Sequence, residues 1–472
     1  MGFIEAQLHN GKIIRYHPEK MLGEGAEKEF FLTEDENLVI GFYKDQNGLE
    51  DKERIRRLMS VIEKYNPTLD LGNGEVWEKH FCWPKAFVVK PRIGILSPKF
   101  PLQYYFKDGK GEKKGKWFSS KRLFKKLQKK ERGTLLSRLK ICRHLTQAIG
   151  RMHAAGLAHS DLSSNNVLMD ASRGTSLVID IDSLVVPGIF QPKVLGTRGY
   201  MAPEVVKTSQ LDLMHPEKKM PSIKTDLHAL AVIIYETLLL RHPLEGKKSY
   251  SSNFETDELL MFGEKALFIE NPLDTSNCPD NMDVSFQSLG PHLVSLFQRV
   301  FIDGLHEPDL RPTAYEWEDV LTRTLDILYP CKGSNCWQKW FVYKKGSEPK
   351  CPFCGRKISE PIPIMHLFQK FSVGQYLPEK HYLTICDKKK LYAWHSRSDV
   401  FCPNEISKNI KWEGSFSLDD QKWTFRNESS EKMVCSVSEQ IRPGDSVEIS
   451  NGKVILLSTA PKGRLAIFEV TA

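Results

Sequence analysis

The sequence has no apolar run near the roughly 20 residues that a helix needs to cross a bilayer. Its first residues also lack the charged-then-apolar pattern of a secretory signal. In such a chain the 10 cysteines do not indicate a disulfide framework, which belongs to oxidising compartments. These absences exclude secreted and membrane-spanning classes, so we expect a cytoplasmic protein with no membrane partner.

Four regions differ in composition, and the length of 472 residues allows roughly two to four domains. Residues 1–100 show short strand-like runs with one helix, and residues 101–330 are mostly helical with long polar loops. Residues 331–357 carry paired cysteines, and residues 358–472 are rich in strand-like runs. This arrangement predicts an α+β protein with a β-rich lobe, a helical lobe, a cysteine segment and an all-β module.

Two oxygen-bearing side chains, Asp161 and Asn166, are five positions apart in the polar loop LAHSDLSSNNVL, called here the Asp161 loop (residues 157–168). Asp180 follows at the end of the apolar run SLVID. Mg²⁺ prefers carboxylate and carbonyl oxygens, and phosphoryl transfer needs a carboxylate that orients the attacking hydroxyl. These residues predict a metal-and-phosphate site, with Asp161 as the base and Asn166 and Asp180 as metal ligands. The alternative is a turn that hydrogen-bonds its own backbone.

Three further motifs lie before and after this loop: LGEGAEKEF at 22–30, GTRGYMAPE at 196–204 and RPT at 311–313. In this order and spacing, they and HSDLSSNN resemble the motifs of eukaryotic-like serine/threonine protein kinases, over roughly residues 10–328. The resemblance implies a bilobal fold that binds ATP and Mg²⁺ and transfers phosphate to serine or threonine of a protein substrate. It also implies an ion pair between Glu204 and Arg311 and an anchoring role for Asp226.

The resemblance also implies an ATP-binding cleft between the two lobes. Gly23 and Gly25 correspond to the glycine-rich loop that covers the phosphates. Backbone groups from Leu96 to Pro98 correspond to the hinge that meets the adenine. The third glycine of the phosphate loop is replaced by Lys28. This replacement adds a cation to the loop, but a side chain there keeps the backbone further from the phosphates.

The lysine that positions ATP in such kinases is missing from its usual place in the strand NLVIGFYKD, where Gly41 occurs. Lys44 is three residues later, and a bulge at Gly41 would bring it to the required face. Lys28 is the alternative. The helix that follows holds three candidates for the glutamate partner of this lysine: Glu53, which we prefer, Glu50 and Glu63.

Departures from the kinase pattern leave a second function class open. Ser160 and Ser163 stand where arginine and lysine are usual, and Asp182 replaces a glycine and competes with Asp180 for the metal. The intact residues Asp161, Asn166 and Asp180 favour an active serine/threonine kinase. Gly41, Lys28 and Ser163 favour a pseudokinase scaffold that binds nucleotide and partner proteins without efficient transfer.

Four of the cysteines form two close pairs: Cys331 and Cys336, then, after fourteen residues, Cys351 and Cys354. Two such pairs can meet tetrahedrally around Zn²⁺. Gly355 follows the second pair, and glycine lets backbone amides turn toward sulfur. We expect a structural zinc ribbon without an open coordination position, and hence without catalysis of its own.

Positive charge is concentrated in residues 107–132, called here the basic strip. It holds twelve Lys or Arg against three Asp or Glu, whereas the whole chain carries a net charge of +8. The strip predicts either a docking site for an acidic protein partner or a solvated insertion. Because it has few aromatic residues to stack on bases, we do not expect nucleic acid.

The C-terminal module is expected to be a small antiparallel β-sandwich or barrel. Asn451-Gly452 separates the runs DSVEIS and KVILLS, which predicts a hairpin. The module resembles forkhead-associated domains, and a generic β-module is the alternative. The order of kinase, zinc ribbon and β-module resembles bacterial kinases that are encoded near tellurium-resistance genes with a metal-dependent phosphatase and a von Willebrand-type domain protein. That resemblance implies stress signalling with one of those two proteins as partner.

Overall fold

The structure, a computed structural model, describes the residues 2–25, 27–45, 48–70, 72, 74–181, 184–186, 195–403, 410–435 and 439–471. The chain forms two compact units. The first comprises Met1–Arg132, Ile141–Asn281 and Leu296–Trp317. The second comprises Gly133–Lys140, Met282–Ser295 and Glu318–Ala472.

The first unit begins with a closed six-stranded barrel in the order β1-β2-β3-β4-β6-β5. Residues alternate between the two faces of a strand, so β4 places Ile40 and Phe42 together in a hydrophobic cluster with Val88 of β5 and Leu96 of β6. Two helices, α1 and α2, come between β4 and β5. The elements are β1 (Ile4–Leu8), β2 (Ile13–Glu24), β3 (Lys28–Thr33), β4 (Leu38–Tyr43), α1 (Gly48–Met59), α2 (Gly74–Glu78), β5 (Ala86–Lys90) and β6 (Gly94–Pro98).

The next part of the chain is mainly helical. Its elements are α3 (Lys121–Lys126), α4 (Leu135–Ala154), β7 (Val167–Asp170), β8 (Thr175–Val178), α5 (Pro203–Lys207), α6 (Ile223–Leu239), α7 (Phe254–Phe262), α8 (Pro291–Gln298) and α9 (Ala314–Asp326). Helix α6 is apolar on all sides and is buried from Thr225 to Leu239. It begins at a capping box formed by Ser222 and Thr225 and ends where Leu240 adopts a φ of +58°. Among the described residues, no helix is long and apolar enough to cross a membrane.

The C-terminal part of the second unit consists of short strands and one helix, α10. Its sheets have the orders β10-β9, β12-β11-β20-β19-β16-β17 and β13-β14-β15-β18. Leu367 of β11, Phe416 of β14, Phe425 of β15 and Phe468 of β20 share one hydrophobic cluster, so the two larger sheets pack on a common core. The elements are β9 (Leu328–Pro330), β10 (Trp340–Val342), β11 (Ile362–Ser372), β12 (Gln375–Thr384), β13 (Lys390–Leu391), α10 (Ala393–Ser396), β14 (Gly414–Asp419), β15 (Lys422–Asn427), β16 (Met433–Val434), β17 (Gln440–Ile441), β18 (Ser446–Glu448), β19 (Val454–Leu456) and β20 (Arg464–Thr471).

The hairpin predicted at Asn451-Gly452 is wrong. Gly452 does turn the chain, with a φ of +79°. However, β18 on one side belongs to the four-stranded sheet, whereas β19 on the other belongs to the six-stranded sheet. The turn therefore carries the chain from one sheet to the other. The prediction failed because turn residues indicate that the chain reverses but do not show which strands pair.

Candidate active site

One buried carboxylate on α6 anchors the Asp161 loop. Asp226 accepts hydrogen bonds from the backbone N–H groups of His159 at 2.7 Å and Ser160 at 3.2 Å. The His153 ring nitrogen Nε2 lies 3.1 Å from the same carboxylate. Ser160 has a φ of +64°, which is uncommon for a residue other than glycine. The charged acceptor stabilises this strained turn, and the turn determines the direction of the next residue, Asp161.

The carboxylate of Asp161 is held on two sides. Asn166 Nδ2 donates to the Asp161 backbone oxygen at 2.8 Å and to its Oδ2 at 3.2 Å. Thr197 Oγ1 donates to Asp161 Oδ1 at 2.6 Å. The structure thus brings Asp161 and Asn166 together. Since Nδ2 of Asn166 faces Asp161, Oδ1 is the atom that a hard cation would bind.

Asp180 lies two residues after β8 and adopts a φ of +61°. The backbone oxygen of the preceding Ile179 lies 3.0 Å from His159 Nε2, which joins this turn to the Asp161 loop. Burial, the largest single influence, would raise the pKa of Asp180, but Lys28, together with His159 and Lys114, outweighs burial and lowers that pKa. Asp180 is therefore kept ionised, as a metal ligand must be. The competing Asp182 lies outside the described residues.

The amine beside Asp180 comes from β3. Lys28 Nζ lies 3.1 Å from Asp180 Oδ1, and only 6% of Lys28 is exposed. Lys44, which we preferred from the sequence, instead contacts Glu24, and its side chain is 33% exposed. The structure therefore brings Lys28, the alternative, and not Lys44, to Asp180.

The bulge predicted at Gly41 is not formed. β3 and β4 pair in regular register there, with Lys28 opposite Tyr43 and Phe30 opposite Gly41. A Cβ atom at residue 41 would lie 2.7 Å from Cε1 of Phe30, so any side chain there would have to displace the ring. The usual lysine position is thereby closed, and the adjacent strand supplies the cation.

The glutamate partner of this lysine stays a prediction. Glu53 contacts Arg57 one turn further along α1, at 3.4 Å. Glu63 contacts His9 at 3.3 Å. The side chain of Glu50 lies outside the described residues. The structure therefore places Glu53 and Glu63 beside basic residues other than Lys28.

Leu96 and Pro98 lie within β6, where the sheet uses their backbone groups. Leu96 pairs with β4 on one side and β5 on the other, and its carbonyl accepts from Lys85 N at 2.8 Å. The Pro98 carbonyl accepts from Cys82 Sγ at 3.3 Å, and proline has no N–H to donate. The structure does not offer these groups to an adenine, which would have to meet the residues that follow Pro98.

Gly23 and Gly25 lie where β2 turns into β3. Gly25 N donates to Lys28 O at 2.8 Å, and this tight turn brings the chain to Lys28. A Cβ atom at Gly23 would meet none of the described residues within 4 Å. Packing therefore does not require glycine there, and the bare backbone is open to a ligand.

The ion pair implied between Glu204 and Arg311 is present. The two guanidinium nitrogens NH1 and NH2 each lie 2.7 Å from a different oxygen of Glu204. The side chain of Arg311 is fully buried. This bidentate contact fixes the end of segment 196–204 to the helical lobe.

A second anchor of this segment had no signal in the sequence. Tyr200 Oη lies 2.6 Å from Ser164 Oγ in the Asp161 loop and 2.7 Å from Glu236 Oε2 on α6. Burial raises the pKa of Glu236 to about 8. One hydroxyl proton cannot serve both contacts, so Tyr200 donates to one of these two groups and accepts from the other. A neutral Glu236, which the raised pKa favours, can be the group that donates. A single glutamate in an otherwise apolar helix matches no motif, and sequence reasoning therefore missed it.

The four cysteines converge, with their sulfur atoms all within 4.8 Å of one another. Cys331 and Cys354 are 3.6 Å apart, and Cys336 and Cys351 are 3.8 Å apart. Tetrahedral zinc at about 2.3 Å from each sulfur needs separations of about 3.8 Å. A Cβ atom at Gly333 would lie 3.1 Å and 3.3 Å from two of these sulfurs, so glycine lets the backbone pass close to them. The cluster fits a structural zinc ion.

Comparison with known proteins identifies relatives of this site. Residues 116–314 match the protein kinase domain family. The human phosphorylase b kinase gamma catalytic chain, liver/testis isoform, is 31% identical over 126 residues, which are 24% of this chain and 30% of that protein. Serine/threonine-protein kinase PknD of Chlamydia felis is 29% identical over 142 residues (26% and 14%). Serine/threonine-protein kinase pkn3 of Myxococcus xanthus is 27% identical over 153 residues (30% and 24%). The chain thus spans less than a third of the length of these relatives.

A solved kinase domain of a Toxoplasma gondii rhoptry antigen is 13% identical, with a TM-score of 0.42 over 68% of this chain and 86% of that one. That likeness is too low to carry an argument.

The match to the kinase family contains Asp161, Asn166, Asp180 and Arg311. The predicted fold class is confirmed: a bilobal protein-kinase-like fold, followed in sequence by a ribbon-like cysteine cluster and an all-β region.

Proposed function

We propose that the chain transfers the terminal phosphoryl group of ATP to serine or threonine residues of protein substrates. The observation that carries this proposal is the setting of Asp161, whose carboxylate is held by Asn166 and Thr197 in a loop anchored by Asp226. A carboxylate fixed in this way can accept the proton of an attacking hydroxyl. Serine/threonine kinases among the relatives support the same substrate class.

Asn166 and Asp180 are the residues that would hold Mg²⁺. They supply an amide oxygen and an ionised carboxylate, which are the hard donors that this ion prefers. When bound, the ion would neutralise charge on the phosphates. Lys28 would position the phosphates, because its ammonium lies against Asp180 at the same point. We place the adenine contact after Pro98, since β6 uses the backbone of Leu96.

A pseudokinase scaffold that binds nucleotide and partners is the second candidate. It is favoured by Gly41 and by Ser163, which is fully buried and offers no cation. The position of Lys28 counts against it, because a cation is supplied to Asp180 from β3. The two candidates differ in transfer rather than in nucleotide binding.

Incubation of the purified chain with labelled ATP and Mg²⁺ tests the proposal. We expect label on serine or threonine of the chain itself or of a generic protein substrate. Asp161→Ala should lose roughly two or more orders of magnitude in rate, the scale of a removed general base, while ATP binding is retained. Asp212→Ala, an exposed aspartate in the same lobe, is the control and should match the unmodified protein.

Undiminished labelling by Asp161→Ala would contradict the role of this carboxylate. ATP binding without transfer by the unmodified chain would support the scaffold. Neither binding nor transfer would contradict both candidates.

The proposal extends to the rest of the chain. A structural Zn²⁺ in the cysteine cluster is supported by the sulfur separations. We also propose an interaction role for the β-module, whose two larger sheets pack on a common core. The bacterial serine/threonine kinases among the relatives support a bacterial type of kinase. We further propose a stress-signalling role in the cytoplasm, with a phosphatase or a von Willebrand-type domain protein as partner.

An acidic protein partner at the basic strip also belongs to the proposal. Five cationic residues of the strip are exposed around α3: Arg122, Lys125, Lys126, Lys129 and Lys130. Lys113, in contrast, is buried and lies 2.8 Å from Glu131. The recruiting charge therefore belongs to the α3 end of the strip rather than to Lys113.

A further inference from the structure

One part of the basic strip, residues 112–118, lies directly on the Asp161 loop; we call it the docking segment. One of its backbone N–H groups donates to Ser164 O at 3.1 Å, and one of its carbonyls accepts from Met169 N at 2.7 Å. Lys114 forms an antiparallel bridge with Leu168. These contacts fix the backbone of Lys114 beside the loop that carries the proposed catalytic residues.

Packing between the docking segment and the loop is close. A Cβ atom at Gly115 would lie 2.9 Å from Ser164 O and 3.0 Å from Met169 Cε. Next to it, Lys113 forms its buried ion pair with Glu131. Breaking such a pair leaves an uncompensated buried charge, so the segment is held firmly in place.

Lys114 differs from its neighbours because its side chain is partly exposed, at 33%. Its Nζ lies 3.4 Å from Glu112, whose side chain is 34% exposed, and such surface pairs cost little to exchange. Its bridge partner, Leu168, comes two residues after Asn166, one of the residues that would hold the metal. The Asp161 loop contains no lysine or arginine. Cations that meet a bound triphosphate there have to come from other elements, as Lys28 does from β3.

We propose that Lys114 binds a phosphate oxygen of the nucleotide, exchanging Glu112 for the ligand. This inference rests on the proposed function and assigns a second nucleotide-binding cation to it. Lys28 reaches Asp180 from the β-rich lobe and Lys114 approaches from the helical lobe, so a polyanion would be held by charge from both. The nucleotide, rather than an acidic substrate peptide, is the ligand because the bridge to Leu168 places Lys114 close in the fold to Asn166, a residue that would hold the metal between the phosphates.

Calorimetric titration of the full chain tests this assignment, with Lys114→Met compared with Lys116→Met. Lys116 is an exposed lysine of the same segment and serves as the control. With ATP and Mg²⁺, Lys114→Met should raise Kd about tenfold, the scale of one hydrogen bond to a charged group. Adenosine, which has no phosphate, should bind both variants as it binds the unmodified protein. The tenfold difference should shrink as salt is added.

Unaltered ATP binding by Lys114→Met, or equal losses for ATP and adenosine, would overturn the proposal. A raised KM for an acidic peptide with unchanged ATP affinity would also overturn it and assign Lys114 to the substrate. Because the readout is binding, a chain that binds ATP without transfer contradicts the proposed function but still tests Lys114. A chain that binds no ATP contradicts both.

Discussion

Lys28 on β3 and Gly41 on β4 are linked, because the residue at position 41 determines whether β4 could also deliver a lysine to the site. A side chain at residue 41 would displace the ring of Phe30, and a second cation beside Asp180 would repel the first. A lysine on β4 would therefore have to replace Lys28 rather than join it. The exchange keeps one cation at Asp180 while changing the strand that delivers it.

This dependence predicts opposite outcomes for two lysines that are close in the fold. Lys28→Met should lower the transfer rate by about 100-fold or more, the scale of removing a preorganised electrostatic group. Lys44→Met should stay near the unmodified rate, because the side chain of Lys44 contacts the exposed Glu24 rather than Asp180. Initial rates at saturating ATP, with melting temperatures to check folding, decide the comparison. An inactive Lys44→Met beside an active Lys28→Met would return the assignment to Lys44.

Residue spacing predicts parts of this site and not others. Asp161 and Asn166 lie within one loop, so their proximity follows from sequence distance alone. The lysine could not be chosen in that way, because Lys28 and Lys44 both flank the β3–β4 pairing and only its register decides which reaches Asp180. The same holds for Leu96. Its backbone groups are taken up by pairing with β4 and β5, and the sequence does not show that both strands lie beside it.

Among the elements, α6 links the two segments of the proposed site. Its Asp226 holds the Asp161 loop, and its Glu236 contacts Tyr200 of segment 196–204, which in turn contacts Ser164. A neutral Glu236 can donate to Tyr200, whereas an ionised Glu236 would be a buried charge with a single donor. The element thus carries one carboxylate that accepts hydrogen bonds from the Asp161 loop and one whose pKa is raised by burial.

The neutral carboxylate predicts a pH dependence of stability. The pKa of Glu236 is raised from 4.5 to about 8 by burial. Between these values the folded protein binds a proton that the unfolded chain has lost, so raising the pH lowers the free energy of unfolding. Glu236→Gln is neutral throughout and lacks this loss. The melting temperature of Glu236→Gln minus that of the unmodified protein should therefore increase between about pH 5 and about pH 8.5.

The matched control is Glu217→Gln, an exposed glutamate in the same lobe. Its difference from the unmodified protein should not change over that pH range. A constant difference for Glu236→Gln as well would mean that Glu236 is ionised throughout. Tyr200, which contacts it, has a pKa raised by burial and does not titrate in this range.

The helix itself could be predicted from the sequence, but this role of Glu236 could not. The run KTDLHALAVIIYETL is apolar on all sides, and its resemblance to a buried kinase helix placed Asp226 correctly at the Asp161 loop. Glu236 is ten residues further along, where periodicity shows only that it is buried with its neighbours. Its partner comes from a segment that the sequence places 36 residues away.

At the scale of the whole molecule, the four regions that differ in composition do not coincide with the two compact units. The predicted four-part division follows strand and helix content, and as a statement about domains it stays a prediction. The second compact unit includes Gly133–Lys140 and Met282–Ser295, two segments from the helical region. Composition cannot show this, because such segments join a unit only through tertiary contacts. The order of β-rich, helical, cysteine and β regions was nevertheless predictable, since each has its own pattern.

The second unit contains the cysteine cluster, and all of its cysteines except the exposed Cys354 pack in a hydrophobic core with Tyr329 and Phe341. Binding of a structural metal contributes directly to folding free energy, so its loss should destabilise the protein. We expect about one zinc per chain by metal analysis. Cys351→Ser should lose it and melt at least about 5 °C lower, whereas Cys402→Ser, outside the cluster, should keep both the zinc and the melting temperature. A metal-free preparation that melts unchanged would mean that the four thiols do not hold zinc.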